Sequence, residues 1–133
     1  MQTAQQLVLF NVRLAWLGVA AGVLSGAVIG NWFLKDDWLG GYGSHRRRLL
    51  RLAHVSFFGL AFINFLFGLT VFMTGFAVAP GRIVSLCLLA ATVTMPICCV
   101  LCAWRKSLHY LFPVPVGSLF VAIAALLSNW PRS

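Results

Sequence analysis

Four long apolar stretches, separated by short polar segments, run through the chain. They cover about 7–30, 50–73, 83–104 and 108–130. A helix that crosses the hydrocarbon core of a bilayer needs about 20 apolar residues, so each stretch is long enough to span. The pattern predicts an all-α polytopic membrane protein, a four-helix transmembrane bundle in which residues 1–133 form a single domain.

The fourth stretch has two candidate starts. Pro113 and Pro115 fit the first turn of a helix but not its interior. Either the helix begins near Leu108 and kinks at the prolines, or residues 108–112 lie at the membrane interface and the helix begins at Pro113. We prefer the second alternative.

Composition supports a membrane class and argues against nucleic acid as a partner. The chain is 61% hydrophobic and only 9% charged, whereas soluble domains carry about 25% charged residues. The net charge of +8 would suggest nucleic acid in a soluble protein. Here the basic residues stand beside apolar stretches, where they orient the spans and attract anionic headgroups. We therefore expect the lipid bilayer as partner and no nucleic acid.

The basic residues are distributed unevenly between the two sides that alternating spans define. Seven of the ten fall in or beside two gaps, 31–49 and 105–107. They are Lys35, Arg46, Arg47, Arg48, Arg51, Arg105 and Lys106, against Arg13, Arg82 and Arg132 on the other side. Because Lys and Arg are retained in cytoplasmic loops, both termini are expected on the non-cytoplasmic side.

An alternative makes residues 1–27 a cleaved signal peptide. Arg13 would be its basic region, and Ser25, Gly26 and Ala27 its small-residue cleavage site. This alternative places the most basic loop outside the cell, against the charge rule, so we prefer a retained first span. Beyond that span, residues 31–39 mix aromatic and charged side chains, which is typical of a stretch lying on the membrane surface.

A glycine stripe follows the first span, with Gly18, Gly22, Gly26 and Gly30 each four residues apart. Such spacing places the glycines on one helix face, where another helix backbone can approach closely. Two interpretations stay open. The stripe packs within the bundle, or it docks another subunit or a flat cofactor.

His54 and His109 are predicted at similar depths, near the cytoplasmic ends of two spans. Ionisable residues within spans are costly and suggest function. Two imidazoles from separate helices can ligate a b-type haem, with Arg47 and Arg105 as candidates to contact its propionates. The alternative, which we prefer, is a pair of unliganded, hydrogen-bonded histidines.

Sulfur atoms are concentrated in the third span. Met95, Cys98 and Cys102 fall on one helical face, and soft sulfur ligands suit Cu(I). Buried cysteine is also an ordinary small apolar residue, and that interpretation is preferred here. Pro96 lies in the same span and predicts a kink.

Residues 37–64, DWLGGYGSHRRRLLRLAHVSFFGLAFIN, and 94–104, TMPICCVLCAW, resemble a group of small bacterial membrane proteins with no assigned activity. The WLGGY and RLAHVSFFG segments are the most specific parts. The resemblance implies a four-span protein of the bacterial inner membrane. It carries no catalytic residue with it.

The acidic side chains are confined to Asp36 and Asp37, both in a loop. The spans therefore lack the carboxylates of a proton relay, and no nucleophile with its base and orienting group is recognisable. We expect a non-catalytic accessory or scaffold subunit of a larger bacterial membrane complex, with an electron-transfer complex as the preferred host. The alternatives are a haem b-binding subunit with two histidine ligands, and a carrier of Cu(I) or a small molecule.

Overall fold

A computed structural model describes residues 3–131, and in that part of the chain the fold is all α. Four long helices dominate, and each is long and apolar enough to cross a membrane when α4 is taken with the 3-10 turn before it. They are α1 (Ala4–Phe33), α2 (His45–Thr74), α3 (Val78–Trp104) and α4 (Pro113–Ser128). Two short 3-10 helices, Trp38–Gly40 and Lys106–Leu111, lie in the connections. The predicted number and class of helices are confirmed.

Local capping explains why the helices extend beyond the apolar stretches. Thr3 and Gln6 form a reciprocal capping box at the start of α1. Ser44 caps α2 by accepting a hydrogen bond from the backbone N–H of Arg47 at 3.2 Å, so α2 begins well before the apolar stretch at 50. At its other end Gly75, with φ +62°, takes the left-handed conformation that commonly ends a helix.

The α-helical part of the last span begins at Pro113, the alternative preferred from the sequence. Proline is favoured in the first helical turn because its missing N–H has no partner there. α1 continues through Phe33, beyond the predicted end of the first span at Gly30. The predicted location of residues 31–39 on the membrane surface stays a prediction. The apolar and small residues before that point carry the helix further than the composition of the loop suggested.

The helices pack as an antiparallel series in which α2 and α3 are central. α1 packs against α2 and also touches α3, while α4 packs against α3. The connections 34–44 and 105–112 therefore meet at one end of the bundle, which we call the charged end. Seven basic residues lie there: Lys35, Arg46, Arg47, Arg48, Arg51, Arg105 and Lys106. Arg132, predicted on the opposite side, lies outside the described residues.

At the end opposite the charged end, an apolar cluster joins three helices. Phe67 and Val71 of α2, Val84 and Leu88 of α3 and Ala122 of α4 are buried together. The outward faces are apolar too; Phe72, for instance, is 75% exposed. A helix that is apolar all round is typical of a membrane span.

Two buried asparagines connect the first two helices to α3. Asn11 donates to the hydroxyl of Ser85 at 2.9 Å, and Asn64 donates to the hydroxyl of Thr92 at 3.0 Å. Both amides are fully buried. The Asn11 bond ties α1 to α3, and the Asn64 bond ties α2 to α3.

The glycine stripe packs mainly within the bundle. A Cβ on Gly18 would lie 3.0 Å from the Cβ of Ala61, and one on Gly22 would lie 2.7 Å from the ring of Phe58. A Cβ on Gly26 would lie 2.7 Å from His54 Cε1, whereas one on Gly30 would meet nothing within 4 Å. Three of the four glycines are thus covered by α2. The interpretation that these three dock another subunit is wrong, because their own chain fills the groove.

Candidate functional site

The first connection folds into a compact cap over the charged end. The cap comprises residues 34–44, and its 3-10 turn is followed by Gly41, whose φ of +88° suits glycine. Its backbone is held by internal hydrogen bonds, such as that from the N–H of Ser44 to the carbonyl of Gly41 at 3.1 Å. The cap is therefore an ordered element and not a loose loop.

Arg47 fixes the cap to the bundle. Arg47 is only 2% exposed, although arginine is usually a surface residue. Its guanidinium donates to the backbone carbonyl of Phe33, the last residue of α1. The same group lies 4.8 Å from the ring centre of Phe33, 5.6 Å from that of Trp38 and 5.1 Å from that of Tyr42. Such cation–π contacts are strongest where water is excluded.

The guanidinium of Arg47 is already engaged within the protein, unlike that of an arginine left free to contact a haem propionate. Its guanidinium already satisfies the end of α1 and is enclosed by three aromatic rings. Its Nε is buried and has no hydrogen-bond partner among the described residues. Arg105, the other proposed propionate contact, is exposed just after α3 ends. The structure therefore gives the two arginines different roles, one internal and one at the surface.

His54 lies in the interface between α2 and α1. Its Nδ1 is 3.0 Å from the hydroxyl oxygen of Ser25 on α1. The Ser25 hydroxyl also donates to the backbone carbonyl of Gly22 at 2.9 Å. The ring of Phe58 meets the imidazole edge-on, with 5.3 Å between ring centres. Gly26 is the position on α1 that leaves room for the ring.

His109 lies in a different environment. It belongs to the 3-10 helix Lys106–Leu111, which packs against α3 and α4. Its Nδ1 is 3.1 Å from the backbone carbonyl oxygen of Lys106, and the centre of its ring lies 4.0 Å from the ring centre of Tyr110. Within residues 3–131 no hydrogen bond or ring contact joins His54 with His109. The structure does not bring the predicted axial pair together, and a shared haem stays a prediction.

The sulfur-rich face of α3 points towards the segment that precedes α4. Cys98 and Cys102 are buried, and the Cys98 thiol donates to the carbonyl of Leu111 at 3.6 Å. Met95 lines a cavity of about 280 Å³ between α2, α3 and α4. Between residues 3 and 131 no three His, Cys, Asp or Glu side chains are grouped to hold a metal. The Cu(I) site, which includes a methionine, stays a prediction.

Two apolar grooves run along α1. One lies between α1 and α3, has a volume of about 460 Å³ and passes Pro96. The other lies between α1 and α2, has a volume of about 400 Å³ and is lined by aromatic side chains that include Trp16 and Phe62. Both volumes fall within the range of small-molecule sites.

Together these features define a class: an all-α protein built from four helices long and apolar enough to cross a membrane, with its basic side chains concentrated at one end. Comparison with protein-family models, with curated proteins and with solved structures finds no match. The resemblance to a small bacterial membrane family therefore stays a prediction.

Sequence reasoning missed two contacts that the structure reveals, that of Ser25 with His54 and that of Arg47 with the carbonyl of Phe33. Ser25 had been considered only as part of a leader cleavage site, yet it orients His54. Within the run Arg46–Arg48, only Arg47 is buried. The glycine spacing offered a signal for the contact of Ser25, since His54 faces the glycine stripe and Ser25 directly precedes Gly26 in it. The choice among the arginines depends on where α1 ends, which the sequence did not define.

Proposed function

We propose that the chain is a multi-pass protein of the bacterial inner membrane, with both termini on the non-cytoplasmic side. The lengths of the helices support it: 30 residues of α1 extend about 45 Å at 1.5 Å per residue, which exceeds the hydrocarbon thickness of about 30 Å. The apolar outward faces suit lipid contact. The basic charged end would lie in the cytoplasm by the charge rule.

Within that membrane, we infer that the chain acts as a non-catalytic accessory or scaffold subunit of a larger complex, with a membrane electron-transfer complex as the preferred host. The observation that carries this proposal is the cap. Most of the surface is apolar and suited to lipid, yet one polar connection is held in a fixed conformation by a buried arginine, Arg47. A preordered surface binds a partner with less loss of conformational freedom than a flexible loop would.

The cap and its surroundings have the composition of a protein interface. Leu34 is 90% exposed, and Tyr42 and Trp32 are also exposed. Exposed Arg46 and Arg48 follow at the start of α2. Aromatic residues and arginine are enriched where proteins bind one another. We therefore expect the charged end to dock on an acidic and partly apolar surface of another membrane subunit.

Co-purification tests the docking role. The tagged chain is extracted from its native membrane in mild detergent, and the bound proteins are identified and quantified. Neutralising Arg46 and Arg48 together to Gln should reduce the amount of bound partner about 10-fold or more, because the acidic surface loses its basic contacts. Both side chains are exposed, so the substitutions leave the bundle intact. The matched control is Arg13→Gln, a neutralised arginine on α1 far from the cap. A wild-type chain that purifies as a lone monomer contradicts the accessory role.

A haem-binding role is the second candidate, and the orientation of His54 favours it. Metal-binding histidines usually donate one ring N–H to an oxygen and ligate through the other nitrogen, and Ser25 offers such an oxygen to Nδ1. A dithionite-reduced minus oxidised absorption spectrum tests it. A b-type signal that is lost in His54→Ala supports ligation, and loss in His109→Ala as well would support the axial pair. A flat spectrum from the isolated chain contradicts this role.

A further inference from the structure

The groove between α1 and α2 is an aromatic surface in the apolar part of the bundle. Trp16 of α1 and Phe58, Phe62 and Phe65 of α2 line it, and its volume is about 400 Å³. Trp16 and Phe62 are 68% and 62% exposed, so the groove opens to the outer face of the helices. Flat aromatic ligands pack well against such rings.

The groove ends next to a polar group. Phe58, which lines the groove, lies over Gly22 of α1 and meets the imidazole of His54 edge-on. His54 is one helical turn further towards the charged end. It is nine residues into α2, which corresponds to about 13 Å from the start of the helix. The imidazole is thus a polar side chain that lies next to Phe58, just beyond the residues that line the groove.

The two hydrogen bonds of Ser25 together favour one tautomer of His54. A serine hydroxyl has one hydrogen, and that of Ser25 is directed to the carbonyl of Gly22 at 2.9 Å. Its oxygen is therefore an acceptor for Nδ1, 3.0 Å away. A neutral imidazole protonated at Nδ1 carries a bare lone pair on Nε2. Among residues 3–131, His54 Nε2 has no hydrogen-bond partner.

We propose that this groove binds a lipid-dissolved hydroquinone, with one hydroxyl of the ligand donating to His54 Nε2 and its ring packed against Phe58 and Phe62. The ligand must be soluble in the bilayer, present a flat ring and supply an O–H donor, and a hydroquinone with an apolar tail has all three properties. The bilayer core supplies no donor of its own. The site is separate from the cap, so it holds whether or not the chain docks a partner.

The tautomer makes the proposed site selective. An unprotonated Nε2 accepts a hydrogen bond and cannot donate one. The oxidised quinone presents only carbonyl oxygens, which need a donor. The site should therefore prefer the hydroquinone to the quinone, and to a hydroquinone whose two hydroxyls are methylated. One hydrogen bond of ordinary strength corresponds to roughly a 3- to 10-fold difference in affinity.

The test uses the full chain in phosphatidylcholine nanodiscs, titrated under reducing conditions with a decyl-substituted benzohydroquinone or its dimethyl ether. Binding is followed by quenching of tryptophan fluorescence, with Trp16→Phe to identify the reporting residue. We expect the hydroquinone to bind about 3- to 10-fold more tightly than the ether. The preference should disappear in His54→Phe and persist in His109→Phe, the matched histidine control.

Two further measurements keep the outcome decisive if His54→Phe fails to fold. Nitrogen-15 NMR of labelled histidine should show His54 protonated at Nδ1, with the Nε2 resonance shifting when hydroquinone is added. Ser25→Ala, which removes the acceptor of Nδ1, should reduce the preference for the hydroquinone. Equal affinity for hydroquinone and ether in the wild-type chain overturns the proposal. A b-type haem signal that depends on His54 overturns it too, because iron would then occupy Nε2.

Discussion

The glycine stripe of α1 provides four identical substitutions with different expected outcomes. Alanine adds one methyl group at each position, and the structure defines what that methyl meets. At Gly18 it lies 3.0 Å from the Cβ of Ala61 and 3.2 Å from the backbone carbonyl of Phe57. Neither atom belongs to a flexible side chain, so the two helices must separate. At Gly30 the methyl meets nothing within 4 Å.

The magnitude follows from two opposing effects. Overpacking a well-packed interface costs about 1–3 kcal/mol, whereas replacing glycine by alanine in a helix gains about 0.8–1 kcal/mol. Gly18→Ala should therefore lower the free energy of unfolding by up to about 2 kcal/mol. Gly30→Ala has only the gain, so it should be neutral or stabilise by up to about 1 kcal/mol.

The two middle positions should show a smaller cost than Gly18. Gly22→Ala and Gly26→Ala push against the rings of Phe58 and His54, each at 2.7 Å from the added carbon. A side-chain ring can tilt away more easily than a backbone can move. Gly26→Ala should nevertheless lengthen the contact between His54 and Ser25, because the imidazole is the group displaced.

Unfolding of the purified chain in mixed micelles, titrated with sodium dodecyl sulfate and followed by far-ultraviolet circular dichroism, measures the series. Wild type and Gly30→Ala are the internal references. Equal effects at Gly18 and Gly30, within about 0.5 kcal/mol, would refute the packing argument. A Gly30→Ala variant that loses a partner while remaining folded would instead assign docking to this last glycine.

Three further predictions concern the cap, the polar interior and the orientation of the chain. Arg47→Met should increase trypsin cleavage within the cap about 10-fold or more, since a charge-assisted hydrogen bond is worth about 1.5–3 kcal/mol. Replacement of the exposed Arg46 by Met is the control, and unchanged cleavage in Arg47→Met contradicts the anchoring role. Thr92→Val removes the hydroxyl that accepts from the buried amide of Asn64 on α2. In the same detergent titration it should lower the free energy of unfolding by about 0.6–2 kcal/mol, and no change would mean that this hydrogen bond contributes nothing. With the four native cysteines replaced by alanine, Ala77→Cys should react with an impermeant maleimide on intact cells and Gly43→Cys only after permeabilisation; the reverse pattern refutes the proposed orientation.

The apolar pattern predicts the helices well because membrane length restricts the answer. A stretch of about 20 apolar residues without acidic side chains has few alternatives to a spanning helix. The ends of the helices were less predictable, since α2 begins where Ser44 caps it and not where the apolar residues begin. Capping is a local hydrogen-bonding effect that hydropathy does not register.

The candidate site was less predictable because depth along a helix says nothing about direction around it. The sequence predicts His54 and His109 near the same end of the spans, but their contacts lie on different elements. The stripe from Gly18 had the same ambiguity, since glycine spacing allows close approach by any helix. Only the packing of α2 across α1 decides between an internal and an external partner.

That packing also links the stability of the bundle to the chemistry of His54. The imidazole fits because Gly26 has no side chain, and it is oriented because Ser25, the preceding residue on α1, offers a hydroxyl oxygen. The same close approach of α1 and α2 places Phe58 over Gly22 and against the imidazole. A methyl group at Gly26 should therefore affect ligand selectivity more than it affects unfolding, whereas one at Gly18 should do the opposite. If both variants changed the two properties in proportion, His54 would act as packing alone, and the hydroquinone site would lose its physical basis.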